Sequence, residues 1–167
     1  QRYAHISVNL SRKDFYRDDI VDVLCQITDK YDLDPKMIHI EVTESAYVDA
    51  PEKLLEVLKE IKNKGFVFEL DDFGTGFSSI GLVKSLPLDT IKIDRSFILT
   101  LEEDDKEKKL EESFVNVAST FGAKVCVEGI ETSGMKEILQ KYHVQSFQGY
   151  YYAKPLSIDD LEKMVSK

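Results

Sequence analysis

The stretch FVFELDDFGTG, residues 66–76, contains a predicted strand together with the end of that strand. An apolar run leads to two aspartates, Asp71 and Asp72, and a glycine-containing turn follows them. Adjacent residues on a strand point to opposite faces, so both aspartates can reach one site only where the strand is ending. The glycines allow the next loop to turn tightly beside a ligand. The alternative for such a motif alone is an aspartate turn that caps a strand.

Five other short apolar runs also end on polar or charged residues. They are HISVNL (5–10), IHIEVTE (38–44), TIKID (90–94), KVCVEG (124–129) and SFQG (146–149). Enough chain for a helix separates successive runs. A strand–helix repeat with its functional groups at strand C-termini is typical of a TIM-type (β/α) barrel. We therefore predict an α/β fold that contains about six of the eight βα units of a closed barrel.

Composition excludes several classes of protein. The chain has 167 residues and a formal net charge of −9, and no basic stripe is present, which argues against a nucleic-acid polymer as partner. No apolar stretch approaches the roughly 20 residues of a membrane-spanning helix. Cys25 and Cys126 do not form a zinc pattern, and we interpret them as buried thiols.

Three local signals predict where helices begin. Ser11 can cap a helix after the first strand, and Ser157, with Asp160 three residues later, can cap the last helix. The charge-dense segment 102–112 is predicted to be a solvated loop and first helical turn.

Polar side chains at the first two strand ends are candidate metal ligands. Glu41 and Glu44 lie three residues apart, so one can bind a metal while the other orders a neighbouring loop. Asn9 offers a neutral oxygen at an inward-pointing position, although a buried hydrogen-bonded asparagine is the alternative. Carboxylates that converge at one end of a barrel repel one another, and a bound cation removes that repulsion.

The later strands add a lysine and further acids. Lys92 and Asp94 share strand parity, and a lysine inside a barrel must be paired or functional because burying an uncompensated ammonium is prohibitively unfavourable. Glu128 lies at the next strand end. Glu69 lies on the same face as Asp71, and we expect it to pair with the barrel lysine. The alternative is that Glu69 acts as a substitute metal ligand.

These motifs, in this order, resemble the EAL family of cyclic di-GMP phosphodiesterases. The resemblance extends over essentially the whole chain. The matching segments are VNLS (8–11), EVTES (41–45), DDFGTGFSS (71–79), LPLDTIKIDRSF (86–97), VEGIET (127–132) and QGYYYAKP (148–155).

The resemblance implies a role for each matching residue. It implies that Asn9, Glu41 and Asp71 bind a first Mg²⁺ or Mn²⁺ ion and that Asp72 binds a second. The implied catalytic residues are Lys92, which holds a water, Glu128, the general base, and Glu44, which anchors the DDFGTG loop. The implied substrate-binding residues are Glu131, Gln148 and Asp94.

The resemblance also implies the reaction, hydrolysis of cyclic di-GMP to linear pGpG in bacterial second-messenger signalling. The alternative is a catalytically inactive EAL-like domain that binds cyclic di-GMP as a sensor. Because no Glu-Ala-Leu triplet occurs in the chain, residues 1–167 are interpreted as a single EAL-like domain that is N-terminally incomplete. The implied partners are a second copy in a homodimer and an upstream sensory or GGDEF-type domain. The implied location is the cytoplasm, or the cytoplasmic part of a membrane-anchored parent.

Overall fold

One parallel β-sheet organises the chain, whose computed structural model describes residues 5–49, 51–75 and 80–165. The six strands follow sequence order, β1-β2-β3-β4-β5-β6, and every neighbouring pair is parallel. Their bounds are Ile6–Asn9 (β1), Ile38–Thr43 (β2), Val67–Phe73 (β3), Thr90–Ile93 (β4), Lys124–Val127 (β5) and Ser146–Phe147 (β6). This half-barrel confirms the predicted α/β fold with six strands.

Seven helices are described in these ranges, and most of them connect successive strands. Their bounds are Ile20–Lys30 (α1), Glu44–Asp49 (α2), Pro51–Asn63 (α3), Ile80–Ser85 (α4), Asp105–Thr120 (α5), Ser133–Lys141 (α6) and Ile158–Val165 (α7). Side-chain caps mark the starts of α5 and α6. Asp104 accepts a hydrogen bond from the Lys106 amide, and Thr132 accepts one from the Met135 amide.

The hydrophobic core lies between the outer face of the sheet and the helices. Strand residues of even and odd parity alternate between the two faces. Ile40, Leu70 and Val125 point outward, are fully buried, and belong to the same core cluster as the helix residues Leu58 and Ile61. The opposite, inner face of the sheet carries polar residues, among them the predicted site residues Asn9, Glu41, Asp71 and Lys92.

The structure corrects one predicted helix start, confirms another, and corrects the expected solvation of segment 102–112. The first helix begins at Ile20, because the Ser11 hydroxyl instead bonds to Asp14 in a turn before a short 3-10 helix. Ser157 and Asp160 hydrogen-bond to each other as predicted at the start of α7. Segment 102–112 is not wholly solvated, since it includes the completely buried Glu111.

Apolar side chains are exposed at both edges of the sheet. On β1 the Ile6 side chain is 62% exposed. On α7, which follows β6, Ile158, Leu161 and Val165 are exposed. The well-packed part of the molecule is therefore the centre of the sheet, where strands β2 to β5 carry most of the candidate site.

Candidate active site

Lys92 lies at the centre of a cluster of carboxylates on the inner face of the sheet. Its Nζ atom is 2.7 Å from Glu41 Oε1, 2.7 Å from Glu128 Oε1 and 3.1 Å from Asp71 Oδ1. Lys92 is only 4% exposed. Strand β4 lies between β3 and β5, and this position allows one amine to reach acids from β2, β3 and the end of β5.

The surroundings of Lys92 keep its amine charged. Burial alone would lower the pKa of Lys92, but hydrogen bonds to Glu128 and Glu41 outweigh burial and raise this pKa above its ordinary value. For Glu128, burial raises the pKa more than contact with Lys92 lowers it. The cluster therefore combines a permanent cation with a carboxylate that accepts a proton more readily than an exposed glutamate does.

A bulge at the end of β3 brings Asp71 and Asp72 to the same site. The pairing register between β3 and β4 shifts between Leu70 and Phe73. Asp72 has a φ of 55°, in the left-handed region, so the usual alternation of side chains is broken at this residue. The structure thus brings the side chains of Asp71 and Asp72 together at the strand end.

Asp71, Asp72 and Glu128 offer oxygen atoms that lie within 4.8 Å of one another. Burial raises the pKa of Asp72 above its ordinary value, and the negative charge of Asp71 adds to that effect. Three carboxylates held this close repel one another, and an ion that prefers oxygen ligands, such as Mg²⁺ or Mn²⁺, fits this donor set.

Two other predicted residues come from neighbouring strand ends: Asn9 is the last residue of β1, and Glu44 directly follows β2. Asn9 pairs in register with Glu41 on the neighbouring strand and lines a separate cavity with Ser11 and Thr43. Glu44 is the first residue of α2 and is 2% exposed. The structure thus brings Glu41 into the Lys92 cluster, whereas Asn9 lies at its margin on the edge strand.

The predicted substrate residues surround a cavity of about 390 Å³ beside Glu128. Asp94 caps the short 3-10 helix Arg95–Phe97 by accepting a hydrogen bond from the Ser96 amide at 2.9 Å. Burial would raise the pKa of Asp94, but the hydrogen bonds from Ser96 lower it below its ordinary value. Glu131 and Gln148 line the same cavity.

Sequence reasoning did not identify the positive charges of this cavity. Arg95 forms an ion pair with Glu131 at 3.5 Å, and Lys154 lies over the ring of Tyr150, 5.7 Å from its centroid. Both cations line the cavity. Their positions within the segments LPLDTIKIDRSF and QGYYYAKP were the available signal.

The expected pairing of Glu69 with Lys92 is wrong. Glu69 Oε1 lies 2.8 Å from His39 Nδ1, and the Ser7 hydroxyl donates to Glu69 Oε2 at 3.0 Å. His5 stacks on His39 with ring centroids 4.0 Å apart. The reason is position, since Glu69 lies one layer below Asp71 on β3 and reaches toward β1 and β2 rather than β4.

A sequence profile described as the EAL domain matches residues 1–155 of the chain. The chain is also similar to PdeB of Escherichia coli, described as a probable cyclic di-GMP phosphodiesterase. The two are 34% identical over 156 residues, which are 93% of this chain and 29% of PdeB. The chain spans about a fifth of the length of the first three curated relatives that it matches.

Solved structures show the same fold. A structure of the phosphodiesterase MucR from Pseudomonas aeruginosa in complex with c-di-GMP matches with a TM-score of 0.86 and 32% identity, covering 94% of this chain and 64% of that one. A structure of BlrP1 from Klebsiella pneumoniae, described as a manganese/cy-diGMP complex, matches with a TM-score of 0.85 and 26% identity, covering 92% of this chain and 40% of that one.

Proposed function

Because this chain belongs to the EAL domain family, we propose that the protein hydrolyses cyclic di-GMP to linear pGpG as a metal-dependent phosphodiesterase in bacterial second-messenger signalling. The observation that carries the proposal is the cluster in which Lys92 contacts Glu41, Asp71 and Glu128. The similarity to PdeB, which is described as a probable cyclic di-GMP phosphodiesterase, supports the choice of substrate.

In this proposal, three carboxylates and one amide oxygen would supply ligands for two divalent ions. Asn9, Glu41 and Asp71 would hold the first ion, and Asp72 the second. When bound, such ions would polarise a phosphoryl oxygen of the substrate and lower the pKa of a water. An oxygen-only donor set suits Mg²⁺ or Mn²⁺. The positive charge of the bound ions would then offset the repulsion between the acidic protein and its anionic substrate.

Two side chains would act directly on the attacking water. Lys92, held charged by its three carboxylates, would orient the water by donating a hydrogen bond to its oxygen. Glu128 would accept the water proton, and its raised pKa favours this role because a general base works best when its pKa approaches the operating pH. Glu44 would order the loop that carries Asp71 and Asp72.

The cavity beside Glu128 would hold the remainder of the dinucleotide. Asp94, Glu131 and Gln148 offer hydrogen-bond acceptors and donors to its guanine and ribose groups. Arg95 and Lys154 supply positive charge near the phosphates in an otherwise acidic cavity.

We propose three features of the assembly on the same grounds. The protein is a homodimer, it carries an upstream sensory or GGDEF-type domain, and the EAL domain formed by residues 1–167 lies in the cytoplasm. MucR, described as a bifunctional diguanylate cyclase/cyclic di-GMP phosphodiesterase, supports the second feature. Within the described ranges, none of the helices combines the length and apolar composition needed to cross a bilayer. We also propose that residues 1–167 belong to a single EAL-like domain.

The proposed reaction is tested with Glu128→Gln in the natural full-length protein. We expect kcat for pGpG formation to fall by roughly 10²–10⁴, the usual contribution of a general base, with little change in KM. Glu137→Gln, an exposed position on α6, makes the same charge change away from the site and is the matched control. An unchanged kcat with weaker binding would contradict the base role. Binding of cyclic di-GMP without any pGpG from the wild type would favour the sensor alternative.

A further inference from the structure

Three phenylalanine rings form a cluster behind the carboxylates. The ring of Phe114, on α5, contacts the ring of Phe73 with centroids 5.5 Å apart and an interplanar angle of 78°. It contacts the ring of Phe97 with centroids 5.3 Å apart and an angle of 86°. Both contacts have the edge-to-face geometry that aromatic pairs prefer. Phe114 is therefore packed between two other rings that come from different elements.

Each of the other two rings belongs to a strand end that carries a site residue. Phe73 directly follows Asp72 and is the last residue of β3. Phe97 ends the 3-10 helix that Asp94 caps. Phe114 thus connects the end of β3, the segment after β4 and helix α5. It lies on none of the elements that supply carboxylates to the site.

The backbone between these rings is held in an uncommon conformation. Asp72 has a φ of 55°, which L-residues with a side chain adopt rarely. Gly74 has a φ of 96°, and a Cβ atom added there would lie 2.7 Å from the Phe97 ring and 3.6 Å from the Phe114 ring. The turn after Asp72 therefore lies directly against the rings. A non-glycine residue in this region persists only where its surroundings hold it in place.

We propose that Phe114 is a positioning residue for the metal site, because it clamps Phe73 and Phe97 and so holds the bulge that turns Asp72 toward Asp71 and Glu128. Phe114 acts through Phe73 and touches neither substrate nor metal. This inference rests on the proposed function only in taking Asp71 and Asp72 as metal ligands. Residues that orient metal ligands from outside the ligand shell typically change metal affinity by 10–100-fold when they are mutated.

The test measures Mn²⁺ affinity in the natural full-length protein by titration followed by electron paramagnetic resonance, without substrate. Phe114→Leu keeps an apolar side chain but removes both edge-to-face contacts, and we expect the Kd for Mn²⁺ to rise at least tenfold. Phe97→Leu removes one of the two contacts from the other side and should raise the Kd in the same direction. In the double variant that combines Phe97→Leu and Phe114→Leu, the Kd for Mn²⁺ should rise by less than the product of the two single-variant factors. The reason is that both substitutions act through one cluster of rings.

The matched control is Val115→Ala. Val115 is buried at the next position of α5, so the substitution removes core volume from the same helix without removing a ring. We expect its melting temperature to fall while its Kd for Mn²⁺ stays within twofold of the wild type. The conservative variant Phe114→Met, whose sulfur can pack against aromatic rings, should recover part of the Mn²⁺ affinity lost in Phe114→Leu.

Two results would overturn the proposal. The first is an unchanged Mn²⁺ affinity in Phe114→Leu. The second is an equal loss in Val115→Ala and Phe114→Leu, which would make Phe114 a general packing residue. If Phe114→Leu weakens Mn²⁺ binding but the wild type does not hydrolyse cyclic di-GMP, the proposed function is contradicted and the positioning role of Phe114 is not. A wild type that does not bind Mn²⁺ would overturn both.

Discussion

Two buried ionisable side chains, Lys92 on the inner face of the sheet and Glu111 in the outer helix layer, have opposite surroundings. Lys92 is 4% exposed and contacts Glu41, Asp71 and Glu128. Glu111 is 0% exposed, and within the described ranges neither of its carboxylate oxygens has a hydrogen-bond partner. Burial raises the pKa of Glu111 to about 8, with a smaller contribution from Glu107.

The difference shows how a protein can accommodate a charge that burial disfavours. On the inner face, opposite charges compensate one another, and Lys92 remains ionised. In the outer layer no residue of the described ranges compensates Glu111, so its carboxyl group keeps its proton to a higher pH than an ordinary glutamate does. Burial of a charge therefore points to function only where partners of opposite charge have been assembled around it.

The largest effect is expected for Lys92→Met, which removes the cation and retains an apolar side chain of similar length. Glu41, Asp71 and Glu128 would then repel one another without compensation. We expect kcat to fall on the order of 10³-fold and the free energy of unfolding to fall by roughly 3–5 kcal/mol, as when one partner of a buried pair is removed. Steady-state kinetics and urea unfolding measure the two quantities.

The matched control for Lys92→Met is Lys62→Met. Lys62 also forms an ion pair, with Asp89, but both side chains are 33% exposed. Pairs of this kind contribute about 0–1 kcal/mol, so a small change in unfolding free energy and normal turnover are expected. Equal losses of kcat and of unfolding free energy in Lys92→Met and Lys62→Met would contradict the claim that the buried Lys92 cluster differs from an exposed ion pair.

The next effect concerns pH and the unpartnered Glu111. The folded state holds the Glu111 proton to a pH of about 8, whereas the ordinary glutamate pKa is 4.5. The unfolded state therefore releases this proton first, so the contribution of Glu111 to stability falls as pH rises from about 4.5 to about 8 and is constant above. In the wild type, the free energy of unfolding should fall by about 1.4 kcal/mol per pH unit in that window, and Glu111→Gln should abolish this fall. Chemical unfolding at several pH values measures the slope.

Glu112→Gln is the control for Glu111→Gln. Glu112 is the next residue on α5 and is exposed, so the substitution changes the same charge without changing a buried group. We expect its unfolding free energy to follow the wild type at every pH. A wild-type slope that persists in Glu111→Gln would mean that another group causes it.

The smallest effect is expected for Glu69→Gln, below the Lys92 cluster. Glu69 bonds to His39 and Ser7, and the substitution weakens these contacts without leaving Lys92 unpaired. We expect turnover to change less than about threefold and unfolding free energy to fall by about 1–2 kcal/mol. Loss of Mn²⁺ binding in this variant would instead support Glu69 as a metal ligand.

Sequence patterns predicted the parts of the molecule that depend on local alternation. The six strand ends and the residues Glu41, Asp71, Lys92 and Glu128 follow from apolar runs that close on polar groups. The bulge at Asp72 was not predictable in detail, because regular alternation would send adjacent side chains to opposite faces.

Two errors came from contacts and burial that local sequence does not encode. Glu69 and His39 are 30 residues apart in the chain, so their pairing depends on strand order and on the layer that each residue occupies. Glu111 lies in a run of charged residues that is typical of a solvated helix face, yet it is completely buried in the folded chain. Tertiary packing overrides the local pattern in both cases.

The most direct test of the central claim, that the acids around Lys92 form a metal-dependent phosphodiesterase site, is the rate of cyclic di-GMP hydrolysis by the natural full-length protein as a function of divalent cation. We predict turnover to pGpG with Mg²⁺ or Mn²⁺, none in excess chelator, and inhibition by Ca²⁺, whose looser and larger coordination does not suit a site that needs near-octahedral geometry. Full turnover in excess chelator would contradict the account.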